Sequence, residues 1–408
     1  MTMQFRKFGK LDWQASVLGF GCMRFPTTDG NPHGPNINEA EAIRMMHRAL
    51  EGGVNYFDTA YVYHEGRSET VLGQALRGRR DRAKIATKCP VWMIEQESDF
   101  DRILNEQLSR LQTDHIDFYL LHALGKKRWD EIVLKFKLLE KAGAALADGR
   151  IRHLGFSFHD NYESFPEILN GFDHWAFCQI QYNYMDTENQ AGAKGLRLAA
   201  AKGLAVVVME PLLGGKLARP PEAIRQVIER APVQRSAADW ALQWLWNQPE
   251  VSVVLSGMSD LQQVDANLES AARARARSFQ EADMNLIGML QQKYRERAAI
   301  PCTKCGYCMP CPNGVNIPAN FEYYNDAFLH EAIPDARFRY QIFVPETARA
   351  NLCQACHDCE ERCPQKIPIS DWMPKVYSLL GAAGTPVPAT AVNQTCSRSS
   401  PSRPPAPR

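Results

Sequence analysis

Eight short apolar segments alternate with eight helical patterns between residues 16 and 273, and this alternation restricts the fold more than any other feature of the sequence. The predicted strands are rich in β-branched residues and span 16–21, 54–60, 84–88, 116–122, 151–157, 177–183, 204–211 and 251–257. The predicted helices span 39–51, 68–77, 98–111, 131–147, 161–170, 189–202, 236–247 and 260–272. Eight strand and helix pairs in about 260 residues predict an α/β fold of the (β/α)8 TIM barrel type.

An open, doubly wound sheet is the alternative arrangement for alternating strands and helices. Such a sheet normally carries a glycine fingerprint of the GxGxxG type after its first strand. The corresponding stretch here is LGFGCMRF, residues 18–25, which lacks that spacing. The barrel is therefore favoured, and the preceding residues 3–17 are expected to form a short hairpin at its bottom.

The charge balance excludes several classes of partner. The 408 residues carry 47 basic and 46 acidic side chains, a formal net charge of +1, so no nucleic-acid or membrane-surface partner is expected. The opening MTMQFRKFGK lacks the apolar region of a signal peptide, and no apolar run approaches the roughly 18 residues of a membrane span. These observations predict a cytoplasmic protein without a membrane partner.

Polar side chains close almost every predicted strand. They are Asp58, Lys88, His122, Ser157, Gln179, Glu210 and Ser256. Each of them alone has an ordinary structural explanation, such as a helix cap or a solvated charge. Because the catalytic groups of such barrels sit at the carboxyl ends of the strands, we expect these side chains to meet at one mouth of the barrel.

The chemistry suggested by these residue types is carbonyl reduction. Hydride addition to a carbonyl carbon leaves an alkoxide that needs a proton, and a free phenol, with a pKa of about 10, is a weak donor. A neighbouring ammonium lowers the phenol pKa, and a carboxylate keeps that ammonium charged and oriented. We therefore expect Tyr63 to donate the proton, Lys88 and Asp58 to activate it, and His122 to orient a small-molecule carbonyl substrate.

Three motifs carry a family resemblance. DTAYVY (58–63), ATK (86–88) and LLH (120–122) resemble the Asp, Tyr, Lys, His tetrad of the aldo/keto reductases in order and spacing. The resemblance extends over most of residues 1–275. It implies an oxidoreductase that reduces an aldehyde or ketone, or oxidises the alcohol, with NAD(P)H extended across the barrel mouth.

The resemblance also implies which residues bind the cofactor. Ser157 and Gln179 are expected to hold the nicotinamide carboxamide, with Tyr182 near the ring. The pyrophosphate is expected on the loop after the seventh strand, and the adenosine part after the eighth. The residues of these two loops are Leu212, Gly214, Gly215 and Leu217, and then Ser256, Gly257, Ser259, Gln263 and Asn267.

Two departures from the family pattern affect the choice of cofactor. Phe158 stands where the family often has Asn, so the resemblance does not supply that carboxamide contact. Many members that prefer NADPH have a Lys or Arg in the loop after the eighth strand, but residues 257–267 contain neither. Both NADP(H) and NAD(H) therefore stay open as cofactors.

Eight of the twelve cysteines fall into two short runs. In a chain without a secretory signal, clustered cysteines indicate metal or cluster binding sooner than disulfides. The second run has the Cx2Cx2Cx3CP spacing of bacterial ferredoxins, and the first is one residue shorter before its last cysteine. The first run is Cys302, Cys305, Cys308 and Cys311, and the second is Cys353, Cys356, Cys359 and Cys363.

The two runs predict two [4Fe-4S] clusters. In two-cluster ferredoxins the fourth cysteine of each run binds the other cluster. By analogy, Cys363 completes the cluster of the first run and Cys311 that of the second. A zinc site with four thiolates, and a single cluster with one degenerate run, stay open as alternatives. Aldo/keto reductase-like proteins with a ferredoxin-type tail form a group that this chain resembles.

The expected domain organisation follows from these signals. An aldo/keto reductase-like barrel over 1–275 precedes a helical connector over 276–300, a small, mostly helical iron–sulfur domain over 301–380 and a disordered tail over 381–408. The tail is rich in Pro, Ser and Ala and has almost no bulky apolar residues.

The clusters leave the function partly open. A hydride carries two electrons and each cluster carries one, and the sequence shows no flavin signature that would convert between them. One alternative is a redox-sensing protein that binds nicotinamide with little turnover. The other is a ferredoxin-linked reductase whose clusters receive electrons from an electron-transfer partner.

Overall fold

A computed structural model describes residues 2–381, and the predicted tail from 382, including Cys396, lies outside the described residues. Eight parallel strands, β3 to β10, close a barrel in which each strand pairs with its neighbours in chain order and β10 pairs with β3. The predicted (β/α)8 fold is therefore confirmed. The barrel strands are β3 Leu18–Gly21, β4 Tyr56–Asp58, β5 Lys84–Cys89, β6 Ile116–Leu124, β7 Ile151–Phe158, β8 Phe177–Gln181, β9 Ala205–Met209 and β10 Val251–Ser256.

A hairpin closes the bottom of the barrel. Strand β1 (Phe5–Lys7) pairs antiparallel with β2 (Gln14–Ser16), and Phe8 between them is fully buried. The Phe8 ring packs with its centroid 4.6 Å from that of Phe118, inside the barrel near the amino ends of the strands. Aromatic packing therefore fills the bottom of the barrel and leaves the carboxyl ends of the strands for chemistry.

Helices follow the barrel strands in the predicted alternation. The predicted helix over 131–147 begins instead in a π-helical turn, and the left-handed conformation of Lys137 (φ 51°) separates that turn from α5. Helix α8 was not predicted. The helices are α1 Glu39–Glu51, α2 Arg67–Ala75, α3 Ser98–Leu111, α4 Lys126–Arg128, α5 Leu138–Ala147, α6 Phe165–Asn170, α7 Gly192–Ala201, α8 Glu222–Glu229, α9 Ala237–Trp246, α10 Leu261–Ala272, α11 Glu281–Arg295, α12 Ile317–Leu329, α13 Ile333–Phe343, α14 Asp358–Glu361 and α15 Ile369–Leu380.

The chain forms two compact units that are not simply consecutive in sequence. The barrel unit contains the residues up to Arg219 together with Pro232–Ile287. The cysteine-rich unit contains residues 288–381 together with Pro220–Ala231, which carries α8. None of the described helices combines the length and the apolar character that a membrane crossing requires.

The cysteine-rich unit is mostly helical, as the sequence predicts. Its core is apolar and includes Phe321, Tyr340 and Met373. One chain of hydrogen bonds crosses this core. The Tyr340 hydroxyl donates to Asn320 Oδ1 at 2.6 Å, and Asn320 Nδ2 donates to the carbonyl of Ala348 at 2.9 Å. Because these buried polar groups are paired, they hold α12 and α13 in register without an unsatisfied donor.

Candidate active site

Strand alternation brings three of the predicted catalytic residues into the barrel. Side chains on a strand point alternately to opposite faces, and Tyr56, Ala86 and Phe118 belong to the buried interior cluster. Asp58, Lys88 and His122 follow these residues by two, two and four positions. They therefore share the interior face, one step or two steps closer to the carboxyl ends of β4, β5 and β6.

Tyr63 reaches the same place from a tight turn after β4. The turn Tyr63–Gly66 contains two consecutive left-handed residues, His64 (φ 50°) and Glu65 (φ 54°). This strained backbone is stabilised by the buried His64 ring, whose Nδ1 lies 2.7 Å from the carbonyl oxygen of Gly34. The phenol position is thus set by a rigid turn rather than by a mobile loop.

Lys88 is the centre of the tetrad. Its ammonium donates to Asp58 Oδ1 at 2.5 Å, to the Thr59 carbonyl at 2.7 Å and to the Tyr63 hydroxyl oxygen at 3.5 Å. Lys88 and Asp58 are almost fully buried. Burial lowers the pKa of Lys88, but the charge of Asp58 and the hydrogen bonds to Asp58 and Tyr63 reverse this effect, so its pKa lies above the usual value and it stays charged.

The pKa of Tyr63 departs from the sequence-based expectation. Burial raises this pKa, and the opposing effect of the Lys88 ammonium is the smaller of the two. The Lys88 ammonium thus lowers the Tyr63 pKa as expected, but desolvation raises it by more, so the pKa lies above the ordinary phenol value. At neutral pH Tyr63 keeps its proton, which is the form that a proton donor needs.

His122 completes the tetrad as a neutral imidazole. Its ring centroid lies 6.2 Å from that of Tyr63 and 5.0 Å from that of Trp92. Burial, followed by the charge of Lys88, lowers the pKa of His122 well below its usual value. Among the described residues, His122 Nδ1 is buried without a hydrogen-bond partner. The ring can therefore offer a hydrogen bond to a substrate oxygen.

Two predicted cofactor residues lie side by side at the ends of adjacent strands. Ser157 of β7 and Gln179 of β8 are direct partners in the parallel ladder, and both are buried. Ser157 Oγ accepts a hydrogen bond from the Ala123 amide at 2.7 Å, so its own proton is free to be donated. Gln179 Oε1 is buried and has no partner within residues 2–381. One donor and one orphaned acceptor fit a carboxamide.

Tyr182 does not join this group. On β8 the side chain of Phe177 is inside the barrel, so positions 179 and 181 also point inward and 182 points outward. The Tyr182 ring packs 5.2 Å from Trp244 of α9, and its hydroxyl donates to Gln248 Oε1 at 3.3 Å. The expectation that Tyr182 lies near a nicotinamide ring is therefore wrong, because the strand period places it between sheet and helices.

The loop after β9 forms a tight turn that two glycines make accessible. Gly214 (φ 67°) and Gly215 (φ 96°) are left-handed, and the Leu217 amide donates to the Leu212 carbonyl at 3.1 Å. A Cβ added to Gly215 would meet nothing within 4 Å. Exposed backbone of this kind lets a ligand phosphate approach closely.

The residues predicted for the adenosine part extend from the end of β10 to the middle of α10. Asn267 Nδ2 donates to Ser256 Oγ at 2.9 Å, and the Ser259 amide donates to Gln263 Oε1 at 3.1 Å. Asp260 caps the helix by accepting from the Gln263 amide at 2.8 Å. Gly257 follows Ser256 directly in the chain. The segment is thus held in one arrangement by its own side chains.

Arg24 is a site residue that the sequence analysis missed. A Cβ built on Gly214 would lie 3.5 Å from Arg24 Nη2, and one built on Gly257 would lie 3.5 Å from the Arg24 side chain. Arg24 therefore lies between the loops that follow β9 and β10. Its only sequence signal is its position in the loop directly after the first barrel strand.

The eight clustered cysteines line two cavities in the cysteine-rich unit. Each cavity takes three cysteines from one run and the fourth from the other, and Ile317 and Ile369 line both. This arrangement fits the ligand exchange predicted from the ferredoxin spacing. One cavity contains Cys302, Cys305, Cys308 and Cys363, and the other contains Cys311, Cys353, Cys356 and Cys359.

Comparisons with known proteins agree with this geometry. The model of the aldo/keto reductase family matches residues 17–287, and that of the 4Fe-4S dicluster domain matches residues 301–367. The 6-dehydroglucose reductase of Novosphingobium aromaticivorans is 26% identical over 288 residues, which cover 65% of this chain and 90% of the relative. The L-galactose dehydrogenase of Arabidopsis thaliana is 25% identical over 319 residues, which cover 73% and 94%.

A solved structure with a similar fold is the holo form of aldo-keto reductase AKR11C1 from Bacillus halodurans. It is 28% identical and superposes with a TM-score of 0.59. The matched region covers 71% of this chain and 96% of that one. The similarity therefore concerns the barrel part of this longer chain.

Proposed function

Because this chain belongs to the aldo/keto reductase family, and is an NAD(P)H-dependent oxidoreductase of that type, we propose that it reduces an aldehyde or ketone or oxidises the matching alcohol. The observation that carries this proposal is the position of the Tyr63 hydroxyl. It lies 3.5 Å from a buried ammonium that Asp58 holds, at the same mouth as the neutral ring of His122.

The chain's residues manage the proton and the substrate oxygen. Bound NAD(P)H supplies a hydride to the carbonyl carbon. His122 donates a hydrogen bond to the carbonyl oxygen, and Tyr63 transfers its proton to that oxygen as the C–O double bond becomes single. The phenolate that remains is stabilised by the Lys88 ammonium until it regains a proton from water. The reverse sequence oxidises an alcohol.

The cofactor is proposed to lie across the barrel mouth. The Ser157 hydroxyl and the orphaned Gln179 Oε1 would hold the carboxamide, as donor and acceptor. The turn from Leu212 to Leu217, with Arg24 beside it, would bind the diphosphate, and the segment from Ser256 to Asn267 the adenosine. Because residues 257–267 contain no basic side chain, the proposal includes both NAD(H) and NADP(H).

We further propose two [4Fe-4S] clusters, each bound by four thiolates. The support is the pair of adjacent cavities, each with a complete set of four cysteines, where a single-cluster protein needs only one such set. Thiolates also suit zinc, so iron and sulfide quantitation distinguishes the two. A cytoplasmic location belongs to the same proposal, because clustered thiols stay reduced there.

Substitution of Tyr63 by Phe tests the catalytic proposal. It removes the donated proton and keeps the ring, so we expect kcat/KM for aldehyde reduction to fall by roughly 10²-fold or more. NAD(P)H binding, measured by nucleotide fluorescence, should stay unchanged. The matched control is Tyr61→Phe. It also removes a phenol hydroxyl, but one that donates to Glu106 at 2.8 Å and not one that contacts Lys88. Equal loss in both variants, or full activity of Tyr63→Phe, would contradict the assignment.

A further inference from the structure

The turn after β6 is fixed at two points and carries an arginine to the active site. Ala123 has a left-handed backbone (φ 55°), and its amide donates to Ser157 Oγ. Its carbonyl accepts from Arg128 Nη1 at 2.6 Å, while the Lys126 amide donates to Asp160 Oδ2 at 2.7 Å. The backbone that positions Arg128 is therefore rigid and connected directly to β7.

Arg128 lies close to the tetrad. Its guanidinium carbon is 5.0 Å from the centre of the Trp92 ring, and that ring is 5.0 Å from the centre of the His122 imidazole. The guanidinium is thus at most twice this distance from His122. Trp92 is 40% exposed, so it offers an accessible aromatic surface next to both groups.

The guanidinium of Arg128 has no counter-charge of its own. Among the described residues, no Asp or Glu oxygen lies within 4.0 Å of it, and burial lowers its pKa. The neighbouring lysines are paired: Lys126 with Glu167 at 2.5 Å, and Lys127 more loosely with Glu131 at 3.9 Å. A half-buried cation without an anion is unfavourable, and its remaining N–H groups are suited to a carboxylate.

We propose that Arg128 binds the carboxylate of the substrate, so that the preferred substrates are aldehydes or ketones that carry a carboxylate group. This inference rests on the proposed carbonyl reduction and names its substrate class. The carbonyl lies at Tyr63 and His122, the connecting carbon chain or aryl ring lies along Trp92, and the carboxylate meets the guanidinium. Lys88 does not compete for the carboxylate, because Asp58 already neutralises it.

A pair of substrates tests the proposal. We expect kcat/KM for 4-carboxybenzaldehyde to exceed that for its methyl ester by at least 10-fold, roughly the effect of one charge-assisted contact. Arg128→Met should abolish this preference, so that the ratio of kcat/KM for the acid to kcat/KM for the ester falls to about 1 or below. Arg128→Lys should keep part of it, since Lys retains the charge but loses the fork geometry. Lys127→Met, at an adjacent exposed position, is the matched control and should behave as the wild type.

A binding experiment separates this inference from the proposed reaction. Calorimetry with 4-methylbenzoate and the full chain should show binding that Arg128→Met loses and Tyr63→Phe keeps, whether or not aldehydes are reduced. Binding that depends on Tyr63 and not on Arg128 would overturn the inference. So would a wild-type protein that does not prefer the carboxylate, or an Arg128→Met variant that keeps the preference.

Discussion

At the scale of single residues, the pKa values of Tyr63 and His122 predict the pH dependence. The donor needs a protonated Tyr63, whose pKa burial raises, so reduction should fall only as the pH rises above the ordinary phenol value of about 10. His122 must be neutral, and its pKa is well below the usual 6.5, so mild acid should not inhibit. We therefore expect kcat/KM for reduction to be flat between about pH 6 and 9.

The pH dependence of the reverse reaction, alcohol oxidation, provides the check. Alcohol oxidation needs the Tyr63 phenolate, so its kcat/KM should rise with pH through the alkaline range in which reduction declines. Tyr61→Phe should keep both profiles. A reduction profile that already declines near pH 7, with Tyr63 as the titrating group, would contradict this expectation. It would show that the Lys88 ammonium lowers the pKa of Tyr63 by more than burial raises it.

Part of the candidate site can be predicted from the sequence, and part of it cannot. Asp58, Lys88 and His122 could be identified because a strand end fixes where a side chain lies. The family resemblance does not predict the position of Tyr182, because the two-residue period of β8 turns its side chain out of the barrel. Arg24 and Arg128 could not be found, because their positions depend on loop backbone, including the left-handed Ala123.

At the scale of elements, α2 and α3 approach so closely that a methyl group does not fit. A Cβ built on Gly73 would lie 2.6 Å from the backbone carbonyl oxygen of Leu111 at the end of α3. We expect Gly73→Ala to lower the free energy of unfolding by about 1–3 kcal/mol, because backbone must move. Urea denaturation followed by circular dichroism measures this change.

Gly143 of α5 is the matched control for this prediction. It lies in a helix with nothing within 4 Å of an added Cβ, so Gly143→Ala should stabilise the protein by about 0.5–1 kcal/mol. If both substitutions are neutral or both stabilise, α2 and α3 are not in such tight contact.

Most of the barrel elements were predictable because hydrophobic period and strand length are local properties of the sequence. Exceptions arise where backbone conformation or composition hides the pattern. No glycine or proline in the sequence marks the interruption of the helix at Lys137. Helix α8 lies in the polar segment PPEAIRQVIER. Its only helical signal is the spacing of the buried Ile224 and Ile228.

At the scale of the whole molecule, the tetrad and the two cysteine runs belong to separate units. All four tetrad residues precede Arg219 and all eight cysteines follow Gly288. We expect the wild type, purified without oxygen, to contain about eight iron atoms, and Cys359→Ala to lose about four. Aldehyde reduction by the variant should remain within about 2-fold of the wild type, because no tetrad group is altered.

Cys396→Ala is the control, since this residue lies outside both runs, and it should keep all the iron. Iron and sulfide analysis together with NAD(P)H oxidation gives both readouts. Reduction that disappears with the iron would show instead that the clusters take part in turnover. A wild type with zinc and no sulfide would favour the four-thiolate zinc site.

The return of Pro220–Ala231 to the cysteine-rich unit has a practical consequence for anyone dissecting this protein. A stop codon after Ile287 would keep α8 in the fragment, between the turn from Leu212 to Leu217 and α9, without the rest of its own unit. A loss of stability or activity in that fragment would therefore carry no information about catalysis. An independent barrel requires an internal excision as well, with a short linker from Arg219 to Pro232, because the segments of the two units alternate along the chain.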